Sequence, residues 1–350
     1  MAELRLAEPR NILALRLRSI GDTVLLTPAL FALKRQWPDA RLALVVEQPI
    51  DELVRGLAAV DEVWALAPHG AGAWPKRLRL GAGLRGRYDL AIDFHGGTTA
   101  ALLTWASRAP ARIGLAAYRH GWAYTHRLPS PHKGSARALT LHTRDSNLAV
   151  VAALGVSIEP APAPRIALPP GARDAARQAL SRAGLDADRS FVVVHPGAAL
   201  ASKRWPLEGF AEVAKALAAD GVAVVAGFAA REIEIEARFR SLTALPSVRG
   251  LGLGSYAALV GLSALFVGND SGPAHLAAAQ DVRVVAVYGS QDPRVWRPVG
   301  EGHEAIWAAL ACSPCRGTSC ANPVVHECLQ TIAPDRVLAA ARRALVTAGA

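Results

Sequence analysis

Residues 11–46 read NILALRLRSIGDTVLLTPALFALKRQWPDARLALVV, and the order of signals within them decides the fold class. Asn11–Leu17 is an apolar run of strand length. It gives way at Arg18-Ser19-Ile20-Gly21-Asp22 to Thr23–Trp37, where Val24, Leu25, Ala29, Leu30 and Leu33 recur at helical spacing until Pro38 ends the helix. Arg41–Val46 is a second apolar strand. Strand, helix, strand predicts parallel pairing with a right-handed crossover, and parallel strands covered by helices need such near-continuous apolar runs.

The alternation continues outward. Asp61–Leu66 and Tyr88–Phe94 read as strands, and Asn147–Leu154 as a helix closed by Gly155. Ser157–Gly171 holds Pro160, Pro162, Pro164, Pro169 and Pro170, a composition that excludes central strand and helix interior, so it is the candidate linker. Beyond it the pattern starts again. Helices are expected at Arg173–Ala183, Leu207–Ala219, Ile233–Leu242, from His275 to Ala279, and at Pro334–Val346. Strands are expected at Phe191–His195, Val222–Ala226, Ala264–Val267 and Val282–Tyr288. The expectation is an α/β chain of two doubly wound domains, residues 1–165 and 166–350, with a return of the last helix onto the first domain as an open alternative. In such sheets ligands bind beyond the carboxyl ends of the strands, and two facing domains would share one cleft.

Composition narrows the class. Of 350 residues, 51% are hydrophobic and 19% charged, the reverse of a disordered chain. No apolar run reaches the ~18–20 residues a bilayer span needs; the longest candidate, around Ala257–Val267, is short and holds Gly261 and Ser263. Glu3 and Glu8 stand where a signal peptide would be basic and then apolar, so a cytoplasmic location is expected. All four cysteines lie between Cys312 and Cys328, which suits a reducing compartment. Lysine and arginine total 39 against 29 acids, a formal charge of +10 that favours phosphate-bearing partners.

Several turns are candidate sites. Gly21 permits a tight turn after the first strand and places Asp22 at the start of a helix, as an N-cap or as a carboxylate on a ligand edge. Gly268-Asn269-Asp270-Ser271-Gly272-Pro273 follows another strand; its small residues and the helix after it suit a phosphate. His195-Pro196-Gly197, Gly227-Phe228 and Gly289-Ser290 close neighbouring strands of the same half. Ser202-Lys203-Arg204-Trp205-Pro206 offers two cations for a diphosphate, and a Trp-Pro pair to anchor the loop or stack on a base. Between Asp93 and Asp145 there is no acid, but there are Arg108, Arg112, Arg119, Arg127, Lys133, Arg137, Arg144 and five histidines, a footprint for an anionic partner. The cysteines, Cys312-x2-Cys315-x4-Cys320-x7-Cys328, leave structural zinc, local disulfides and free thiols open. No P-loop, GxSxG or HExxH occurs, and Gly250-Leu251-Gly252-Leu253-Gly254 fails GxGxxG at its last glycine.

The ordered set resembles glycosyltransferase family 9, the ADP-heptose–lipopolysaccharide heptosyltransferases. It comprises Gly21-Asp22 with Thr27-Pro28-Ala29-Leu30, Asp93-Phe94-His95-Gly96-Gly97, Arg112-Ile113-Gly114, His195-Pro196-Gly197, Lys203-Arg204-Trp205-Pro206 and Gly268-Asn269-Asp270-Ser271-Gly272-Pro273-Ala274-His275. The late cysteine cluster also resembles one in many members, and the likeness runs from about Asn11 to Val337. It implies a GT-B fold, two Rossmann-like domains facing across a cleft, with the acceptor bound by the N-terminal half and the ADP-sugar donor by the C-terminal half. It implies inverting transfer of a heptose to a phosphorylated lipid A-Kdo acceptor at the inner membrane surface, with no cofactor and no metal. By position Asp22 resembles the general base and Lys203 the lysine that neutralises the diphosphate. Asp270, Ser271, Gly272 and His275 match the donor loop, with Ser202 beside them. Arg18, Arg112, Arg119 and Arg144 are the expected acceptor contacts. Glu232 stands about one position later than the family's ribose-binding acid, and His95 replaces a common Gln, which points to a different acceptor. Two readings compete: a nucleotide-sugar epimerase of the same architecture, and a basic nucleic-acid-binding protein, although no nucleic-acid module is present. A silent sugar-nucleotide sensor is disfavoured by the retained Asp22.

Overall fold

Two six-stranded parallel sheets organise the chain in the computed structural model, which describes residues 8–68, 73–130, 141–315 and 320–346. The chain divides into two units, Met1–Pro169 and Pro170–Ala350. In the first, the elements run β1 (Asn11–Leu15), α1 (Ile20–Gln36), β2 (Arg41–Glu47), β3 (Glu62–Leu66), α2 (Ala73–Leu84), β4 (Leu90–Asp93), α3 (Thr98–Ala106), β5 (Ala111–Leu115), β6 (His126–Leu128) and α4 (Thr143–Ala152). The strand order is β3-β2-β1-β4-β5-β6. Leu15 is aligned with Val45 on one side and Asp93 on the other. Ile12 to Leu15 are fully buried, which is why the central strand reads as unbroken apolar sequence.

The second unit repeats the plan. Its elements are α5 (Ala172–Arg182), β7 (Phe191–His195), α6 (Leu207–Ala219), β8 (Ala223–Phe228), α7 (Ile233–Leu242), β9 (Ser247–Arg249), α8 (Leu253–Gly261), β10 (Leu265–Asn269), α9 (Gly272–Ala278), β11 (Arg283–Tyr288), α10 (Pro293–Trp296), β12 (Glu304–Trp307), α11 (Glu327–Gln330) and α12 (Pro334–Val346). The order β12-β11-β10-β7-β8-β9 is that of the first sheet, counted from β7. Each unit therefore has the doubly wound 3-2-1-4-5-6 order, in which strand succession reverses beside the first strand and leaves a crevice for ligands. The reversal lies between β1 and β4 in one unit and between β7 and β10 in the other.

The last helix, α12, spends its apolar face on the second unit, where Val337, Ala340, Ala341 and Ala344 pack with Phe210, Val213 and Leu217. Arg342 pairs with Asp220 and Arg343 with Glu304. The proline-rich connection is tied to the first unit over most of its length. Arg35 donates to the carbonyls of Ser157 and Pro160, the Arg165 amide to Thr27 Oγ1, and the Ala167 amide to the Leu53 carbonyl. These bonds carry the boundary to Pro169–Pro170, four residues beyond the expected 165/166 division.

Candidate active site

At the reversal of the first sheet, the chain leaves β1 through Arg16-Leu17-Arg18 and enters α1. Ser19 is the N-cap, and Asp22 occupies the third helical position rather than the cap. The Asp22 carboxylate accepts from Ser19 Oγ at 3.0 Å and faces the Ser19 amide at 3.4 Å, a capping box in which the acid reaches back. Its other oxygen is ion-paired with Arg16. Arg16 also donates to the Phe94 carbonyl, so one guanidinium ties the ends of β1 and β4 to the first turn of α1. The Asp22 side chain keeps 17% of its surface exposed, although Oδ1 is itself buried.

The turn after β4 is built around Asp93. This buried carboxylate accepts from the amides of His95 (2.7 Å) and Gly96 (2.9 Å) and from the Tyr124 hydroxyl (2.7 Å). Burial raises its pKa, and these hydrogen bonds with the Arg16 charge oppose the rise. Gly96 has φ +78°, and a β-carbon there would collide with the Tyr118 ring, so only glycine fits. His95 sits near Arg16, Arg18 and Asp22. Burial, then the two guanidinium groups, push its pKa down to about 4, so the imidazole is neutral at pH 7.

In the second unit the corresponding crevice gathers most of the expected donor residues. Lys203 Nζ lies 2.7 Å from Asp270 Oδ2; the carboxylate is buried and the lysine is partly exposed. Asn269, fully buried at the end of β10, holds three segments together. Its Oδ1 accepts from the Trp205 amide at 2.9 Å, and its Nδ2 donates to the Pro196 carbonyl at 2.7 Å. Ser202 is buried with its hydroxyl 3.2 Å from that of Ser290. Ser271 caps the short α9, and its hydroxyl is buried with no protein partner among the described residues. His275 is buried one turn further on. Glu232 accepts from the Ala229 amide at 2.8 Å, and its carboxylate lies so close over Gly197 that a β-carbon there would overlap it. The acid thus reaches the end of β7 despite its late position in sequence. His195 Nδ1 is 2.9 Å from the Gly227 carbonyl and 2.8 Å from the Tyr256 hydroxyl, and burial lowers its pKa.

The other residues singled out in the sequence are partly engaged within the protein and partly exposed. Trp205 does not present its ring to a base: it is buried, edge-to-face on Phe210, with Nε1 donating to the Ile332 carbonyl. Arg112 donates to the carbonyls of Ala123 and Ala109 and braces the β5–β6 connection. Arg144 is paired with Asp145, Arg18 is exposed with its guanidinium 3.9 Å from Glu47, and Arg119 is exposed. Lys133 and Arg137 lie outside the described residues. The four cysteines are unpaired thiols. Burial raises the pKa of Cys328, and the other three thiols add to the rise. Among the described residues no group of three or more His, Cys, Asp or Glu is arranged to hold a metal.

Residues 77–326 match the profile of glycosyltransferase family 9 (heptosyltransferase). The chain belongs to this family. A lipopolysaccharide heptosyltransferase 3 of Escherichia coli is 27% identical over 308 residues, 83% of this chain and 87% of that protein. A family 9 glycosyl transferase from Veillonella parvula has the same fold, with TM-score 0.83, 23% identity and 99% coverage of both chains. The E. coli ADP-heptose lipopolysaccharide heptosyltransferase II gives 0.77 and 22%, covering 97% of this chain and all of the other. The fold is therefore GT-B and the protein is a glycosyltransferase. Two residues that organise the site in this family 9 enzyme do not stand out in the sequence, Arg16 and Asn269. Arg16 was detectable as a charge at the end of a buried strand; Asn269 was visible in its motif, but nothing local showed that it staples three loops.

Proposed function

We propose that this glycosyltransferase moves a heptose from ADP-heptose to the phosphorylated inner core of a lipopolysaccharide precursor, with inversion at the anomeric carbon. An acceptor hydroxyl attacks the anomeric carbon opposite the ADP. The new C–O bond forms as the bond to the diphosphate oxygen breaks, the electron pair leaves with ADP, and Asp22 takes the hydroxyl proton. Lys203 offsets the charge that develops on the departing diphosphate, and the Ser271 hydroxyl with the Gly272 amide are donors for its oxygens. Glu232 is assigned to the ribose, and Asp270 to holding Lys203 in place. Arg18, Arg119 and Arg144 serve the anionic acceptor, with Arg144 drawing on its charge beyond the Asp145 pair. No metal enters the scheme.

Family membership and the names of the relatives support the sugar and the acceptor. The observation that carries the mechanism is the Asp22 carboxylate, fixed by Arg16 and Ser19 beyond β1 on a side chain that stays partly exposed. A lipid-linked acceptor makes the enzyme a peripheral visitor to the cytoplasmic face of the inner membrane; among the described residues no helix is long and apolar enough to cross a membrane.

Calorimetry with ADP, UDP and GDP in EDTA tests the donor, and Asp22→Asn tests the base. ADP alone should bind, and Asp22→Asn should bind ADP as the parent does while transfer falls by about 10²-fold or more. Selective binding of UDP or GDP overturns the donor. Full turnover by Asp22→Asn overturns the base. Donor consumption without acceptor would move the reading to an epimerase.

A further inference from the structure

Nine large apolar side chains stand exposed among the described residues, and four of them gather on one face of the first unit. Trp74 and Leu78, 58% and 69% exposed, are one turn apart on α2. Trp105, near the end of α3, is 45% exposed, and Trp122, in the short turn Gly121–Ala123, is 55% exposed. The two rings meet edge-to-face at 6.1 Å. Trp74, Leu78, Leu102 and Trp105 line a groove of about 260 Å³ together with Arg85 and Arg108. A contiguous exposed apolar surface of this kind marks a contact with something other than water.

The charges around it identify the contact. Arg108 lies over the Trp105 ring at 5.5 Å, and Arg77, buried and 3.9 Å from Glu47, lies beneath Trp74 at 6.0 Å. Lys76, Arg79 and Arg85 are exposed nearby. From Val63 to Arg144 the chain has twelve lysines and arginines and two carboxylates, Asp89 and Asp93. Of the two, Asp93 is buried, whereas Asp89 is exposed and accepts from the Arg10 and Asn11 amides. The first unit holds 21 Lys and Arg against 13 acids, and the second 18 against 16.

Tryptophan concentrates at the interface between acyl chains and headgroups, leucine enters the apolar side, and arginine keeps its stem in the apolar layer with its charge at the phosphates. Clustered arginines select anionic lipid. We propose that α2, the end of α3 and the turn Gly121–Ala123 form the face by which the protein docks on an anionic phospholipid bilayer. Aliphatic Leu78 and Leu102 among the rings favour acyl chains over stacked bases. The proposal rests on the reading above for its purpose, bringing the enzyme to a lipid-linked acceptor, but its test does not depend on transfer.

The full chain is sedimented with vesicles of phosphatidylcholine, with or without about 30% phosphatidylglycerol, at about 0.1 M salt. The parent protein should pellet with the anionic vesicles only. Trp74→Ser with Leu78→Ser, and separately Arg108→Glu, should each lower partitioning by about five-fold or more. Ile233→Ser, which removes an equally exposed apolar side chain from the second unit, should not. Equal melting temperatures show that the variants are folded. Absence of binding to anionic vesicles, or variants that bind like the parent, overturns the proposal. Preference for a DNA duplex over the vesicles, lost in the same variants, overturns it in favour of nucleic acid. ADP binding is read on every sample. Vesicle binding lost with ADP binding kept locates the fault in the variant's docking face, whereas ADP binding absent from a vesicle-binding parent leaves the docking face standing and fails the transferase mechanism.

Discussion

Arg16 shows how much one side chain can organise at the end of a buried strand. Its guanidinium joins the Phe94 carbonyl to the Asp22 carboxylate, so the attitude of the proposed base depends on two strands rather than on a loop. The same charge, with Arg18, makes the site hostile to a second cation, which together with burial is why His95 stays neutral. The consequence for stability has a definite sign. The folded pKa of His95, about 4, lies below its ordinary 6.5, so the unfolded chain takes up a proton first as pH falls between those values. The His95 contribution is therefore whole above pH 6.5 and is lost on acidification towards pH 4. His195 and His303, lowered by burial, act in the same direction. Replacing His95 by Gln removes its share while keeping a hydrogen-bonding side chain. Denaturant unfolding at pH 7.5 and pH 4.5 should show the parent losing more stability than His95→Gln. The expected difference is on the order of 2 kcal/mol, reduced from the full shift because part of the ring is solvated. Equal losses would mean that His95 is protonated as easily folded as unfolded.

Helix α1 survives a proline in its middle because of the residue before it. Pro28 has no amide to offer the Val24 carbonyl, and Thr27 Oγ1 donates to that carbonyl instead at 2.8 Å. The same oxygen accepts from the Arg165 amide at 3.0 Å, so the Thr-Pro pair repairs the helix and anchors the proline-rich connection. Thr27→Val keeps the shape and removes both bonds. It should cost about 1–3 kcal/mol, read as a lower denaturant midpoint with little change in ADP binding; an unchanged midpoint would show that neither group depends on the hydroxyl. The Thr-Pro pair was legible as part of a motif, but its task depended on a partner 138 residues away. The central strands β1, β2, β7, β10 and β11 were legible because burial on both faces demands unbroken apolar runs. The outer strands β5, β6, β9 and β12 were not. Strands β6, β9 and β12 are short and lie at sheet edges, which do not exclude His126, Arg127, Arg249 and Glu304; β5, between β4 and β6, is interrupted by Arg112 and by Gly114. At the site, turns that carry glycine and acid could be found locally. The Lys203–Asp270 pair and the Asn269 staple could not, because each joins segments more than 60 residues apart.

One topology, used twice, carries two different surfaces. The first unit holds most of the excess charge and the exposed tryptophans, and the second is close to neutral with its polar groups folded inward around β7 and β10. That division suits the proposed transfer, in which the second unit would enclose a small diphosphate donor and the first would attract a large anionic acceptor over distance. The second unit also has its own core, with α12 packed against α6 and the β10–β12 strands, and at about 180 residues it is within the usual size of an independently folding domain. A chain of residues 170–350 should therefore unfold in a single cooperative transition. With Lys203, Asp270, Ser271 and Glu232 all inside it, it should bind ADP within about tenfold of the full-length affinity, a loss of at most ~1.4 kcal/mol. Residues 1–169 should bind none. A folded second unit that fails to bind ADP would remove the donor site from these four residues, whatever the activity of the intact chain.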